Sequence, residues 1–272
     1  MENNPIFFAD GADPEMAEAY RKAQETFRYF WREQSWEYRR IIPALSVSCV
    51  KVAFSQEDPA SDSPVVEHMW INEVHFNGDR IRGRLINQPN ELTNIKVGDD
   101  VEIALNEISD WLFAMPQKTK KQTGLSKLFS SSAAVLPKAY GGFTIQQMRS
   151  EMSPAERKAH DQAWQLDFGD FNDIEVVYQQ KEHPEHLTEH PMSRNMKGEF
   201  LKFITENPAE ITGRDADGYT LLHTETIAGN LSSVEVILKA GADKHIKTNT
   251  GKTALDFAKQ LNWEHLIPVL TD

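Results

Sequence analysis

Apolar side chains recur at Met16, Tyr20, Ala23, Phe27 and Phe30, in steps of four and three, the spacing of one helical face. Asp13 stands ahead of the run as an N-cap and Pro14 takes the first helical position, so DPEMAEAYRKAQETFRYFWREQ predicts an amphipathic helix. Past this helix the period shortens. ALSVSCVKVAF (44–54) is rich in β-branched residues and predicts a strand, followed by a Pro/Ser/Asp loop to residue 64. VVEHMWINEVHF and RIRGRLIN come next, joined by Asn77-Gly78-Asp79, and Asn-Gly between two strand-like runs is a strong hairpin signal because both residues tolerate positive φ. IKVGDDVEIAL and EISDWLFAM continue the β pattern, with a turn at Gly98-Asp99. Residues 15–115 therefore predict one helix and four or five strands, mostly antiparallel.

The pattern then breaks. QKTKKQTGLSKLFSSSAAVLPK (117–138) holds five lysines and no acid, shows no apolar period, and reads as a long loop. GGFTIQQMRSEM predicts a short helix. SPAERKAHDQAW predicts another, with Ser153 as N-cap, Pro154 first in the helix and Glu156 closing a capping box. DIEVVYQQ is a candidate last strand. KEHPEHLTEHPMSRNMKG (181–198), with its Pro, Gly and three histidines, reads as a linker.

From residue 213 the chain repeats itself at an offset of 33: Gly218 aligns with Gly251, Thr220 with Thr253, Leu222 with Leu255, and Val234 with Ile267. GYTLLHTE, with Thr220, Leu222 and His223, and AGADKHIK, with Gly241, Ala242 and Asp243, resemble the ankyrin repeat. Leu221 and Ala254 stand where that family usually has Pro, and Asp256 replaces the histidine in the second copy. MKGEFLKFITENPAEI fits the second helix of a degenerate leading repeat, giving about two and a half units in 197–272. Stacked repeats bury their apolar faces only against neighbours, so a stack this short is expected to dock on the N-terminal part or to be completed by a partner. The resemblance implies that His223 fixes neighbouring turns by hydrogen bonds. The expected fold class is thus an α+β N-terminal domain (1–180), a linker (181–196) and an all-α ankyrin-repeat domain (197–272).

Charge narrows the partners. The chain of 272 residues carries a formal charge of −12, which disfavours nucleic acid and anionic lipid and suits a cationic protein. No stretch reaches 18 apolar residues, and MENNPIFFADGADPE lacks the basic start and apolar core of a signal peptide, so a cytoplasmic location is expected. The lone Cys49 leaves no partner for a disulfide within the chain and reads as a small buried hydrophobe.

EHMWI, GRLINQPNEL, VGDDVEI and ISDWLF, in this order and spacing, resemble the YegJ-like bacterial domain of unknown function over about residues 15–165. The residues that carry the likeness are Glu67, His68, Trp70, Gly83, Asn87, Pro89, Gly98, Asp99, Asp110 and Trp111. The resemblance implies a fold and no reaction. Strand alternation places Glu67 and His68 on opposite faces, although Asp110 could meet His68 across the sheet. The sequence shows no Gly-x-Ser-x-Gly elbow, no phosphate-binding Gly loop and no His-Glu-x-x-His helix. The expectation is a non-enzymatic protein with no cofactor and no metal. His183, His186 and His190, with Glu182, Glu185 and Glu189, have metal-ligating atoms but are expected to be solvated in a linker.

Ankyrin-like repeats beside a small orphan α+β domain resemble bacterial toxin immunity proteins. That resemblance implies binding of a cognate toxin, cationic or nucleotide-using, with its active site blocked. The contact candidates are Lys118, Lys120, Lys121 and Lys127 in the loop and Asp215, Asp217, Thr248 and Asn249 at the repeat turns. Two alternatives stay open: a general cytoplasmic ankyrin adaptor, and an enzyme centred on Glu67, His68 and Asp110.

Overall fold

The helical face read from Met16 to Phe30 is the buried face of α1 (Pro14–Glu37), where Met16, Ala23, Phe27 and Phe30 are at most 4% exposed. Asp13 caps it, its Oδ1 accepting from the Glu15 N–H at 2.9 Å. The computed structural model describes residues 13–59, 63–117 and 135–271.

Six strands follow among the described residues: β1 (Val47–Gln56), β2 (Val65–Phe76), β3 (Arg80–Leu85), β4 (Asp100–Ala104), β5 (Ile108–Met115) and β6 (Lys138–Gly141). They form one sheet in the order β4-β3-β2-β1-β5-β6, with β1 antiparallel to both β2 and β5, and β5 antiparallel to β6. The Asn77-Gly78 signal is met. Asn77 Oδ1 accepts from the backbone of Asp79 and Arg80, and Gly78 has φ 95°. α2 (Phe143–Glu151) and α3 (Pro154–Trp164) come after the sheet, and the capping box on α3 forms as read, with the Ser153 N–H donating to Glu156 at 2.7 Å. Cys49, Trp70, Leu112, Ala114 and Ala139 of the sheet share a core with Ile145, Leu166 and Phe168. The chain is α+β.

Two expectations are corrected. DIEVVYQQ is not a strand: Val176 and Val177 are buried, but the segment runs as turns, and Gln179 at φ 54° bends it. Burial of the valines satisfies the apolar signal without ladder pairing. The last strand is instead β6, four residues whose Gly141 N–H donates to the Glu175 carbonyl. The stretch read as a linker is also folded. It forms a 3-10 turn (Pro184–Leu187) and α4 (Pro191–Asn195), with His186, Glu189, His190 and Ser193 buried.

The C-terminal helices are α5 (Lys197–Glu206), α6 (Leu221–Ile227), α7 (Leu231–Lys239), α8 (Ala254–Gln260) and α9 (Ile267–Leu270). The offset of 33 is structural as well as textual. Gly218 and Gly251 both sit at φ 83°, and Thr220 and Thr253 both cap the next helix through a capping box. In the first copy His223 Nδ1 accepts from the Thr220 N–H at 3.0 Å while Nε2 lies 3.1 Å from the Ile246 carbonyl. Asp256 takes the same capping role in the second copy, accepting from the Thr253 N–H at 2.8 Å.

The described residues group into two compact units, those within 1–26, 40–74 and 82–176 in one, and those within 27–39, 75–81 and 177–272 in the other. The second unit thus holds the repeat helices together with the later part of α1 and the hairpin tip, a grouping that does not follow the chain-order division at 181–196. Within it, the Trp36 indole N–H donates to Asn230 Oδ1 at 3.0 Å, and Arg39 pairs with Glu225 at 2.7 Å. Lys252 bonds Asp79, and Gln260 donates to the Gly78 carbonyl. Arg32, 1% exposed, donates to the carbonyls of His186 and Leu187, and burial pulls its pKa down to about 10. A short repeat stack needs neighbours for its apolar faces, and these segments provide them.

Candidate functional site

Lys51 on β1 lies directly opposite Trp70 of β2 on one side and Asp110 of β5 on the other. Opposed residues in a ladder share a face, so this row places the acid, the amine and the indole together. The register then slips. Lys51 pairs with Asp110 but Val52 pairs with Ile108, which leaves Ser109 as the extra residue of a β-bulge. The bulge aims Ser109 at His68, whose Nδ1 lies 2.6 Å from the serine Oγ. Tyr20 of α1 stacks on the His68 ring, with centroids 5.3 Å apart and planes 16° from parallel.

Electrostatics follow from this burial. Burial, with the Lys51 ammonium adding to it, holds His68 down at about 4, so the imidazole is neutral at pH 7. Burial lowers Lys51 and raises Asp110, while each charge opposes the other's shift. Asp110 is fully buried and accepts from the N–H groups of Trp111, Phe143 and Thr144 at 2.8–2.9 Å, and from the Thr144 hydroxyl at 2.6 Å. It therefore satisfies the first donors of α2, whose N-cap, Gly142, makes no side-chain cap bond of its own. The Lys51 ammonium lies 3.5 Å from the Thr144 hydroxyl and 5.6 Å from the centroid of the Trp70 ring. Burial pushes the Cys49 thiol up as well.

Glu67 turns elsewhere. Its carboxylate accepts from the backbone of Asn90, Glu91 and Leu92 at 2.5–3.1 Å. Burial works to raise its pKa, but these three donors outweigh it and hold the carboxyl below the usual range. Glu67, His68 and Asp110 thus each serve a different partner: a loop, a serine and a helix start. Ser109 is only 2% exposed, so its hydroxyl is not offered to a substrate. A surface hollow lined by Phe54, Ser55, Asn94, Ile95, Asp99 and Val101 includes none of the three.

Among the repeat-turn candidates, Asp215 and Asp217 are exposed, and Asp215 Oδ1 also accepts from the N–H groups of Asp217 and Tyr219. Asn249 is exposed and ties its turn to the preceding one, donating from its side chain to the Ala216 carbonyl at 3.0 Å and from its backbone to Asp217. Thr248 is 4% exposed, and its hydroxyl bonds Thr250 and accepts from the Lys252 N–H, so it is a turn fastener rather than an outward contact. Lys118, Lys120, Lys121 and Lys127 lie outside the described residues. His190 stacks on Trp36, lies 3.0 Å from Glu33 and accepts from the Met192 N–H, which accounts for its burial. Sequence reasoning missed Lys51, Ser109, Thr144 and Tyr20. The bulge brings Ser109 and ring stacking brings Tyr20 to His68, while strand register and the start of α2 set Lys51 and Thr144 beside Asp110, and none of these leaves a mark on periodicity.

A family model described as an uncharacterized protein conserved in bacteria (DUF2314) matches residues 13–168. A protein of Neisseria meningitidis serogroup B that carries the provisional name of ankyrin repeat protein is 42% identical over 270 residues, covering 99% of this chain and 98% of its own. The uncharacterized protein YegJ of Escherichia coli is 29% identical over 65 residues, 24% of this chain and 42% of its own.

Proposed function

We propose that this chain, which belongs to the DUF2314 family of bacterial proteins, works by binding another protein and performs no chemistry of its own. The observation that carries this reading is the pair of exposed carboxylates, Asp215 and Asp217, on a turn that is locked to its neighbour by Asn249. A rigid acidic tip in a chain of net charge −12 favours encounter with a cationic partner, because complementary fields raise the association rate and discriminate against wrong partners. The likeness of the helix pairs to ankyrin repeats, and the name of the Neisseria relative, support a recognition role for 197–272.

The non-enzymatic reading is supported by the occupations of the three residues that would have to act together. Glu67 holds the loop at 90–92, Asp110 holds the start of α2, and His68 is packed between Tyr20 and Ser109. A catalytic set needs its members converging on one reacting atom.

The finer reading is a cytoplasmic immunity protein that occludes the active site of a cognate toxin. Coexpression of the full chain with the toxic domain encoded beside it tests this directly. Restored growth and a co-purifying complex are expected, and continued toxicity with no complex sinks the idea. A pull-down that recovers a housekeeping protein instead would favour the adaptor.

A further inference from the structure

We propose that His183, Glu185 and His186 form a site for a divalent transition-metal ion, with zinc(II) the ion that the donor set fits. The expectation of no metal placed these residues solvated in a linker; the 3-10 turn at Pro184–Leu187 is folded and buries His186, while His183 and Glu185 stay exposed. Pro184 and the 3-10 turn bring the three side chains together, so that one ligand atom from each lies within 4.8 Å of the other two. The two imidazole rings stack with centroids 5.0 Å apart, and His183 Nδ1 lies 3.1 Å from Glu185 Oε1.

His186 supplies an independent observation. It is buried, and its Nδ1 lies 2.8 Å from the Tyr178 carbonyl. A carbonyl only accepts, so Nδ1 carries a proton there, and Nε2 is the ring nitrogen left to ligate. A histidine whose second nitrogen is tied to a backbone carbonyl is oriented and made more basic as a ligand. The backbone is fixed too, since the His183 N–H donates to the Gln179 carbonyl and the His186 N–H to the His183 carbonyl.

Two imidazoles and one carboxylate suit zinc, whose sites with three protein ligands leave a fourth position for water or an outside donor. His183 and Glu185 are exposed, so that fourth position faces solvent. Hard cations such as magnesium prefer oxygen donors, and the set discriminates against them.

The test uses untagged full-length protein stripped with chelator, titrated with zinc(II) by calorimetry and with cobalt(II) by visible absorption. One zinc per chain and the intense absorption of four-coordinate cobalt are expected. Affinity should fall about tenfold or more in His183→Ala and in Glu185→Gln, while His245→Ala, at an exposed histidine elsewhere, leaves it unchanged. Thermal melts confirm that the two exposed-site variants fold. His186→Ala is the third arm, read by cobalt absorption only if its melt is intact. Wild-type binding no tighter than that of the His183→Ala/Glu185→Gln double variant overturns the proposal, as does an equal loss in His245→Ala.

Discussion

A Cβ atom added to Gly78 would stand 2.5 Å from Cε1 of Phe257. The glycine at the tip of the β2–β3 hairpin is therefore fixed by two demands at once, a positive φ of 95° and a ring with no room beside it. Gly78→Ala should cost about 2–4 kcal/mol by strain and overpacking. Denaturant unfolding monitored by tryptophan fluorescence, with Gly98→Ala at an open turn as the comparison, measures it.

Asp110 should be among the least replaceable polar residues. Asp110→Ala leaves the N–H groups of Phe143 and Thr144 without their acceptor and Lys51 beside no acid, an expected loss of about 3–5 kcal/mol. Thr144→Val removes one hydroxyl contact and should cost about 1–2 kcal/mol. Chemical denaturation of both variants provides the comparison, and equal losses would show that the carboxylate is not the centre of the group.

His68 makes stability depend on acid. Its folded pKa of about 4 lies below the ordinary 6.5, so the unfolded chain binds a proton first and stability falls as pH drops from about 6.5 toward 4. Its share, reduced for partial solvent contact, is on the order of 1–2 kcal/mol over that window. His68→Gln should flatten this part of the stability profile relative to the wild type, as followed by melts at pH 7, 5.5 and 4.5.

Glu67→Ala should free the loop at 90–92 by removing the acceptor for three backbone donors. The expected loss is about 2–3 kcal/mol, with faster amide exchange at Asn90, Glu91 and Leu92 as the local signature.

If the acidic turn meets a cationic partner, Asp217→Lys should slow association about tenfold at low salt and leave the melting temperature unchanged. The difference should shrink as ionic strength rises. Stopped-flow or surface-plasmon rates on the complex recovered in the growth assay report it.

Much of the architecture was legible where local chemistry and global fold agree. The α1 face from Met16 to Phe30, the Asn77-Gly78 hairpin and the Ser153 capping box each carry their signal within a few residues. The ankyrin resemblance implied that His223 fixes neighbouring turns, and its bonds to Thr220 and Ile246 do so, while Asp256 shows that the capping role tolerates a carboxylate. The misses are tertiary. Val176 and Val177 looked like a strand because burial alone explains their apolarity. His186 and His190, which are buried, looked solvated because proline and glycine punctuate both linkers and tight folded turns, whereas His183 is exposed as read. Nothing near Ser109 announces a bulge, and Asp110, the acid that residue type alone would pair with His68, is already committed to α2.

The Trp36–Asn230 bond and the Gly78–Phe257 contact have a bearing on how such chains diversify. Each unit of a repeat array contacts only its neighbours, which makes such an array look separable, yet here residues 27–39 and 75–81 group with 177–272. A chimera that swaps only the tail would inherit the wrong counterparts at Trp36 and Gly78, whereas one that carries those two short segments along keeps its seams matched.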